Sequence, residues 1–148
     1  NTTENNQNVT SNDQDIVPSK NTPSPKKYID SLTIESSFQM LRDGEIMKKY
    51  DHKGKGKPKK KYVWVDTTTK AIHWRDSNKR RAKAKSAVIQ SIVPGITLKN
   101  QKELDKINSQ SFTILTAKEK PILLVAPTSE ICNDWLKAMD VLILQRIN

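Results

Sequence analysis

Only one cysteine, Cys132, is present, so no disulfide can form within the chain, and a thiol in a reducing, cytoplasmic compartment is the expectation. The two histidines, His52 and His73, lack neighbours at metal-ligand spacing, which leaves no metal and no cofactor to expect. No run approaches the ~18 to 20 apolar residues of a membrane-spanning helix, and no apolar core follows a basic start as in a secretory signal. Glycine is scarce, with four in all. The Gly54-Lys55-Gly56-Lys57-Pro58 stretch lacks the Gly, four residues, Gly-Lys-Ser/Thr order of a nucleotide phosphate loop. No Ser/His/Asp, Cys/His or paired-carboxylate arrangement recurs at a recognisable spacing, so nothing supports an enzyme.

What is present suits one domain. The 148 residues can close a modest core, and the apolar side chains concentrate after Phe38. Residues Asn1 to Pro25 are mostly Asn, Thr, Ser, Asp and Pro, which bury too little surface to offset the entropy of ordering. A disordered leader is expected there. Residues 26–37, with Tyr28, Leu32 and Ile34, could form a short helix or an extended arm, and residues 38–148 the folded domain. Because the chain starts at Asn1, a native beginning with a lipidation signal would be unreadable.

Beyond Phe38, short β-type runs alternate with turn residues. The predicted strands are Gly44–Lys49, Lys60–Asp66, Ala71–Arg75, Ser86–Ser91, Ile96–Lys99, Phe112–Thr116 and Pro121–Ala126, with a compact hairpin loop over Asp66–Lys70. The period then changes. Ile131, Trp135, Ala138, Met139 and Leu142 recur at helical spacing after Pro127, with Thr128 and Ser129 as caps. Such an apolar stripe needs a surface to cover, and an antiparallel barrel with an open end supplies one.

Charge is concentrated in two stretches. Lys48, Lys49, Lys53, Lys55, Lys57, Lys59, Lys60 and Lys61 face one acid, Asp51, for a net of +7; Arg75, Lys79, Arg80, Arg81, Lys83 and Lys85 face Asp76, for +5. Together they exceed the +10 of the whole chain. Single lysines are ordinary solvated surface. Two clusters on this scale repel themselves and point to an anionic partner. Tyr62, Trp64 and Trp74 are interleaved with these cations and could stack on bases, but such residues more often pack a small barrel.

Seven strands followed by a helix with a central tryptophan resembles the pleckstrin-homology (PH) family. Gly44-Glu45-Ile46-Met47-Lys48 resembles its first strand and Lys59-Lys60-Lys61-Tyr62-Val63-Trp64-Val65 its second. Ala71-Ile72-His73-Trp74, Phe112-Thr113-Ile114 and Leu123-Leu124-Val125-Ala126-Pro127 fall where later strands do, and Trp135 takes the helix tryptophan's place. The small size and the Asn- and Lys-rich character are similar to those of apicomplexan acylated PH-domain proteins. The resemblance implies a mainly β fold: a partly open seven-stranded antiparallel barrel capped by one C-terminal α-helix, with the two basic loops side by side at its mouth.

It also implies a membrane-recruitment module that binds lipid phosphate, peripherally attached, monomeric, and acylated at a native beginning. Residues two apart on a strand share a face. Lys59 and Lys61 therefore go with Val63 and Val65, and Lys48 with Ile46. If those apolar residues line the barrel, Lys48, Lys59 and Lys61 point inward at the mouth, where the family's phosphate-binding cations lie. Lys49, Lys53, Lys55, Lys57, Lys60, Arg75, Lys79, Arg80, Arg81, Lys83 and Lys85 would supply the surrounding field. Lys61 stands where the family commonly has arginine. A point charge suits a simple phosphomonoester such as phosphatidic acid better than a phosphoinositide ring, which remains an alternative ligand. Nucleic-acid binding or nuclear import through Pro58-Lys59-Lys60-Lys61, and a protein-interaction role, are the rival readings.

Overall fold

The computed structural model describes residues 26–77 and 83–145, with side chains from Ile34 onward. The expected disordered leader, residues 1–25, lies outside the described residues. The chain divides into two units, Asn1–Thr33 and Ile34–Asn148, and the barrel belongs to the second.

Of the two forms expected for residues 26–37, a short helix or an arm, the helix is the one present: α1 runs Lys26–Asp43, longer than expected, and the boundary drawn at residues 37/38 falls within it. From Ile34 onward its apolar residues recur at helical spacing: Ile34 and Phe38 are one turn apart and Leu41 follows three later, which puts them on one stripe against the core. The helix stops at Gly44, whose φ of +82° is left-handed and whose N–H bonds to the Met40 carbonyl at 3.1 Å. A Cβ at Gly44 would come within 2.6 Å of the Val63 carbonyl oxygen. Gly44 is thus a helix stop held tightly against Val63 and Trp64 rather than the start of a strand.

Six strands follow: β1 Glu45–Tyr50, β2 Lys59–Asp66, β3 Ala71–Asp76, β4 Lys85–Pro94, β5 Ser111–Thr116 and β6 Ile122–Val125. They form an antiparallel meander in which β6 pairs back onto β1 through Lys48↔Val125, Lys49↔Leu124 and Tyr50↔Leu123. The fold is mainly β, a barrel with a C-terminal helix. It departs from the expectation in two details. The ring of ladders is closed, and there are six strands among the described residues, because Ile96–Lys99 forms no ladder. That segment instead buries Ile96 and Leu98 beside Tyr50, Leu123 and Val125.

Alternation is enough to set the inner faces of the central strands. Val63 and Val65 of β2, Ile72 of β3, Ile89 of β4 and Ile114 of β5 are all fully buried. The hairpin over Asp66–Lys70 forms as expected: the Asp66 carboxylate accepts from the N–H groups of Thr68 and Thr69 at 2.9 and 3.1 Å, and Lys70 takes φ of +58°. Thr128 caps helix α3, Ser129–Leu144, by accepting from the Ile131 N–H at 3.1 Å. Of the predicted stripe, Trp135, Ala138, Met139 and Leu142 are buried and Ile131 is half-buried, and Trp135 stacks on Phe112 at 6.4 Å. Cys132 completes the stripe, its thiol 3.6 Å from the Ser111 carbonyl, and burial pushes that thiol's pKa up.

Between β4 and β5 lies an element that no apolar periodicity announces. Helix α2, Gln101–Ile107, begins at Asn100, whose side chain accepts from the Glu103 N–H, and continues into a single 3-10 turn. The Tyr50 hydroxyl donates to Glu103, which ties α2 to β1. Burial and that carboxylate push the Tyr50 pKa up to about 12.

Candidate functional site

Strand β2 changes character along one face. Its inner residues run Lys59, Lys61, Val63, Val65, so the apolar lining gives way to lysines as the strand reaches the barrel rim. Strand β1 does the same with Met47 and Lys49, β3 with Ile72 and Trp74, and β4 with Ile89, Ala87 and Lys85. These rims enclose a cavity of about 250 Å³ lined by Lys49, Tyr50, Asp51, Lys57, Lys59, Lys61, Trp74 and Lys85.

Five of those eight side chains are cationic. Lys49 and Lys59 are directly opposed across β1 and β2, an arrangement that destabilises a sheet. Burial lowers the pKa of Lys49, and the charges of Lys61 and Lys85 lower it further, while Asp51 offsets them in part. Its ammonium lies 5.6 Å from the centre of the Trp74 ring, a cation–π contact that holds the group over the cavity. Lys61, with 19% of its side chain exposed, pairs with Asp76 across the β2–β3 ladder. Asp51 accepts from the Lys53 N–H at 3.1 Å, so one of the few acids here is engaged by its own loop.

The loop between β1 and β2 is braced. The Gly54 N–H bonds to the Asp51 carbonyl at 2.8 Å, and the Gly54 carbonyl accepts from Lys99 at 3.0 Å. A Cβ at Gly54 would meet the Thr97 carbonyl oxygen at 2.2 Å. This glycine therefore serves a close backbone approach to residues 96–99. Gly56, also at positive φ, has open space around it.

The predicted cations separate into groups. Lys59 and Lys61 point into the cavity, as alternation with Val63 and Val65 requires. Lys48 does not. Its face-mate Ile46 is 48% exposed, so that face of β1 is the outer one, and Lys49, beside Met47, takes the inward place. The inference that Ile46 lines the barrel fails because Met47, and not Ile46, lies in the barrel core.

Lys57 and Lys85, expected as supporting charge, line the cavity. Lys48 and Lys60 face each other on the outer surface beside Ile46, bordering a separate cleft with Val125, Ala126 and Pro127. Lys53, Lys55 and Lys83 are exposed. Arg75 also turns outward, with its guanidinium 4.9 Å from the Tyr62 ring centre. Lys79, Arg80 and Arg81 lie outside the described residues.

The three aromatics separate likewise. Tyr62 and Trp64 stack at 5.3 Å on the outer face, where Trp64 also stacks on His73, whereas Trp74 faces the lysine cavity. Its spacing two residues after the buried Ile72 is the signal that could have separated it from the other two. Among the described residues no three His, Cys, Asp or Glu side chains cluster as metal ligands do, and no helix is long and apolar enough to cross a membrane.

Residues 33–145 match the family described as "Meiotic cell cortex C-terminal pleckstrin homology". No curated protein matches this sequence. Among solved structures, PLC21 from L. pealei superposes with a TM-score of 0.58 at 15% identity, covering 74% of this chain and 16% of that one. The chain spans the same 16% of PLC21 from S. officinalis. Inner Membrane Complex Sub-compartment Protein 1 from Toxoplasma gondii gives 0.54 at 10% identity, over 85% of this chain and 99% of the other. The PH domain from PfAPH gives 0.51 at 17%, over 75% and 88%. At these identities the likeness is one of fold.

Proposed function

The chain belongs to the pleckstrin-homology family, and from that premise we propose that it recruits its protein to membranes by gripping the phosphate of an anionic phospholipid, phosphatidic acid above all. PH domains serve as lipid- or protein-interaction modules. The observation that carries the reading is the cluster of Lys49, Lys57, Lys59, Lys61 and Lys85 around one cavity. Folding gains nothing from bringing these charges together. A phosphate dianion between them would relieve the repulsion and accept short, charge-assisted hydrogen bonds.

The donor set favours a phosphomonoester. Every cation that lines the cavity among the described residues is a lysine, a point charge on a flexible stem, and none of these offers a guanidinium fork to orient a multiply phosphorylated ring. Phosphatidic acid ends in such a group, and its second ionisation near neutral pH is pulled down by adjacent ammonium groups. Exposed Lys53 and Lys55 add a diffuse field that draws the domain to any anionic surface. One such patch gives reversible attachment, so stable residence needs a second signal elsewhere in the protein.

Sedimentation with phosphatidylcholine vesicles tests this. The vesicles carry phosphatidic acid, phosphatidylserine or a phosphoinositide at matched total charge, at two salt concentrations. Preference for phosphatidic acid that persists at the higher salt supports the reading. Equal binding to all three would reduce the cavity to part of a general basic surface, and a phosphoinositide preference would replace the ligand.

A further inference from the structure

Strand β4 divides its pairing between two neighbours. Lys85–Val88 pair with β3, through Trp74↔Lys85, His73↔Ser86, Ile72↔Ala87 and Ala71↔Val88. Pairing with β5 begins only at Ile89↔Thr116. The Ile89 N–H bonds to the Lys70 carbonyl at 2.9 Å, which fixes Ile89 and, by antiparallel alternation, Ala87 and Lys85 as the residues whose backbone groups point to β3. The N–H and C=O groups of Ser86 and Val88 therefore point the other way, where no strand among the described residues lies beside them.

That side is a cavity of about 430 Å³ between β4 and the tip of the β5–β6 hairpin, lined by Ala71, Ser86, Ala87, Val88, Thr116, Ala117, Lys118 and Glu119. Val88 is 56% exposed, unusual for a large aliphatic side chain in a strand. The hairpin tip is held back from β4 by its own turn, in which the Glu119 N–H bonds to Thr116 Oγ1 and that hydroxyl donates to the Glu119 carbonyl. An unpaired sheet edge in an otherwise closed barrel is a template for one more strand.

We propose that the β4 edge at Ser86–Val88 is a docking site for an extended acidic peptide of a partner protein, which would add a short strand between β4 and the β5–β6 hairpin. Charge selects the occupant. Lys83 and Lys85 flank the edge at one end and Lys118 borders it at the other, none of them in a salt bridge among the described residues, against the single carboxylate of Glu119. The same charges oppose a second copy of this chain, which carries +10 and would set lysine against lysine. Alternate side chains of the incoming strand would pack on Val88 and on Ala71 and Ala117, while its acidic residues meet the lysines.

The site lies apart from the bulk of the lipid cavity, with Lys85 at their border, so its test is separable from the lipid reading. A synthetic peptide of alternating Glu and Val, seven residues long, is titrated into the full chain, with its Lys-Val counterpart as control. Amide exchange and chemical shifts are followed. Binding of the Glu-Val peptide, with protection of the Ser86 and Val88 amides, is expected.

Val88→Pro supplies the decisive variant. Its missing N–H is the one facing the gap, so the β3 ladder is untouched and the barrel should fold. It should weaken the peptide by about tenfold or more, through a lost hydrogen bond and the intruding ring. Vesicle binding should stay unchanged. Lys118→Glu should weaken the Glu-Val peptide without altering the fold. Equal binding of both peptides, unprotected Ser86 and Val88 amides, undiminished binding by folded Val88→Pro, or concentration-dependent dimerisation through this edge would each overturn the proposal.

Discussion

One face of β2 holds two regions of opposite energetic character. Val63 and Val65 are fully buried and meet the core closed by α3, whereas Lys61 and Lys59, one and two alternations before Val63, border the charged cavity. Burying an apolar side chain stabilises the fold by roughly 1.5 to 3 kcal/mol, while gathering partly buried lysines opposes it. The same backbone geometry therefore builds a region that folds the domain and a region that folding must tolerate. The second region makes sense as a place kept ready for an anion.

The largest effect should come from the apolar region. Trp135→Ala removes a fully buried ring stacked on Phe112, at a cost of about 3 to 5 kcal/mol, a large share of a small domain's stability. Chemical denaturation measures it. Near-unchanged unfolding with altered vesicle binding would erase the contrast between the two regions.

Next come the inward lysines, where stability and binding should move in opposite directions. Lys49→Met keeps the length of the side chain and removes a charge depressed by burial and by its neighbours. It should raise the melting temperature of the free domain and weaken phosphatidic acid binding roughly tenfold. Lys61→Ala should also abolish selectivity, but it leaves Asp76 without this partner, so its stability should fall. If Lys49→Met lowers stability, the cavity is not a strained region.

Smaller changes are expected outside the cavity. Lys55→Ala, in an exposed loop, should weaken binding to every anionic lipid by a few fold, an effect that fades at high salt as charges are screened over ~8 Å. Lys48→Ala and Lys60→Ala, on the outer face, should leave the preference among lipids intact. Loss of preference in a folded Lys48 variant, with Lys49→Met silent, would move the site to the outer cleft.

The smallest and most diagnostic change is in pH dependence. Folding lowers the Lys49 pKa from its ordinary 10.5, so between the two values the unfolded chain holds a proton that the folded domain has released. Stability of the free domain should then rise as pH climbs through the folded value, and level off above the unfolded one. A bound phosphate would favour the charged lysine and reduce this slope. Thermal unfolding across alkaline pH, with and without a short-chain phosphatidic acid, reads both, and Lys49→Met should flatten the profile.

Much of this was legible in the sequence because it is local. Two-residue alternation marked the core strands, 3.6-residue spacing marked α3 with its Thr128 cap, and the Asp66 loop announced its own hydrogen bonds. The two lysine stretches were visible as composition. Helix α2 was less so, since none of its residues is buried and no apolar stripe betrays it, although Asn100 followed three residues later by Glu103 is a capping signal.

What local pattern could not decide was which face of β1 is the inner one. Ile46 and Met47 are adjacent and both apolar, and a one-residue change of phase exchanges Lys48 for Lys49 at the cavity. That choice belongs to pairing with β2 and β6 and to Tyr50, which closes against Ile96, Leu98 and Glu103 far along the chain. The amino-acid sequence alone determined a basic, mainly β domain with a closing helix, because propensity, alternation and charge act between near neighbours. Only the tertiary structure decided which lysines meet and which edge of β4 stays open, because both depend on register between strands that are distant in sequence.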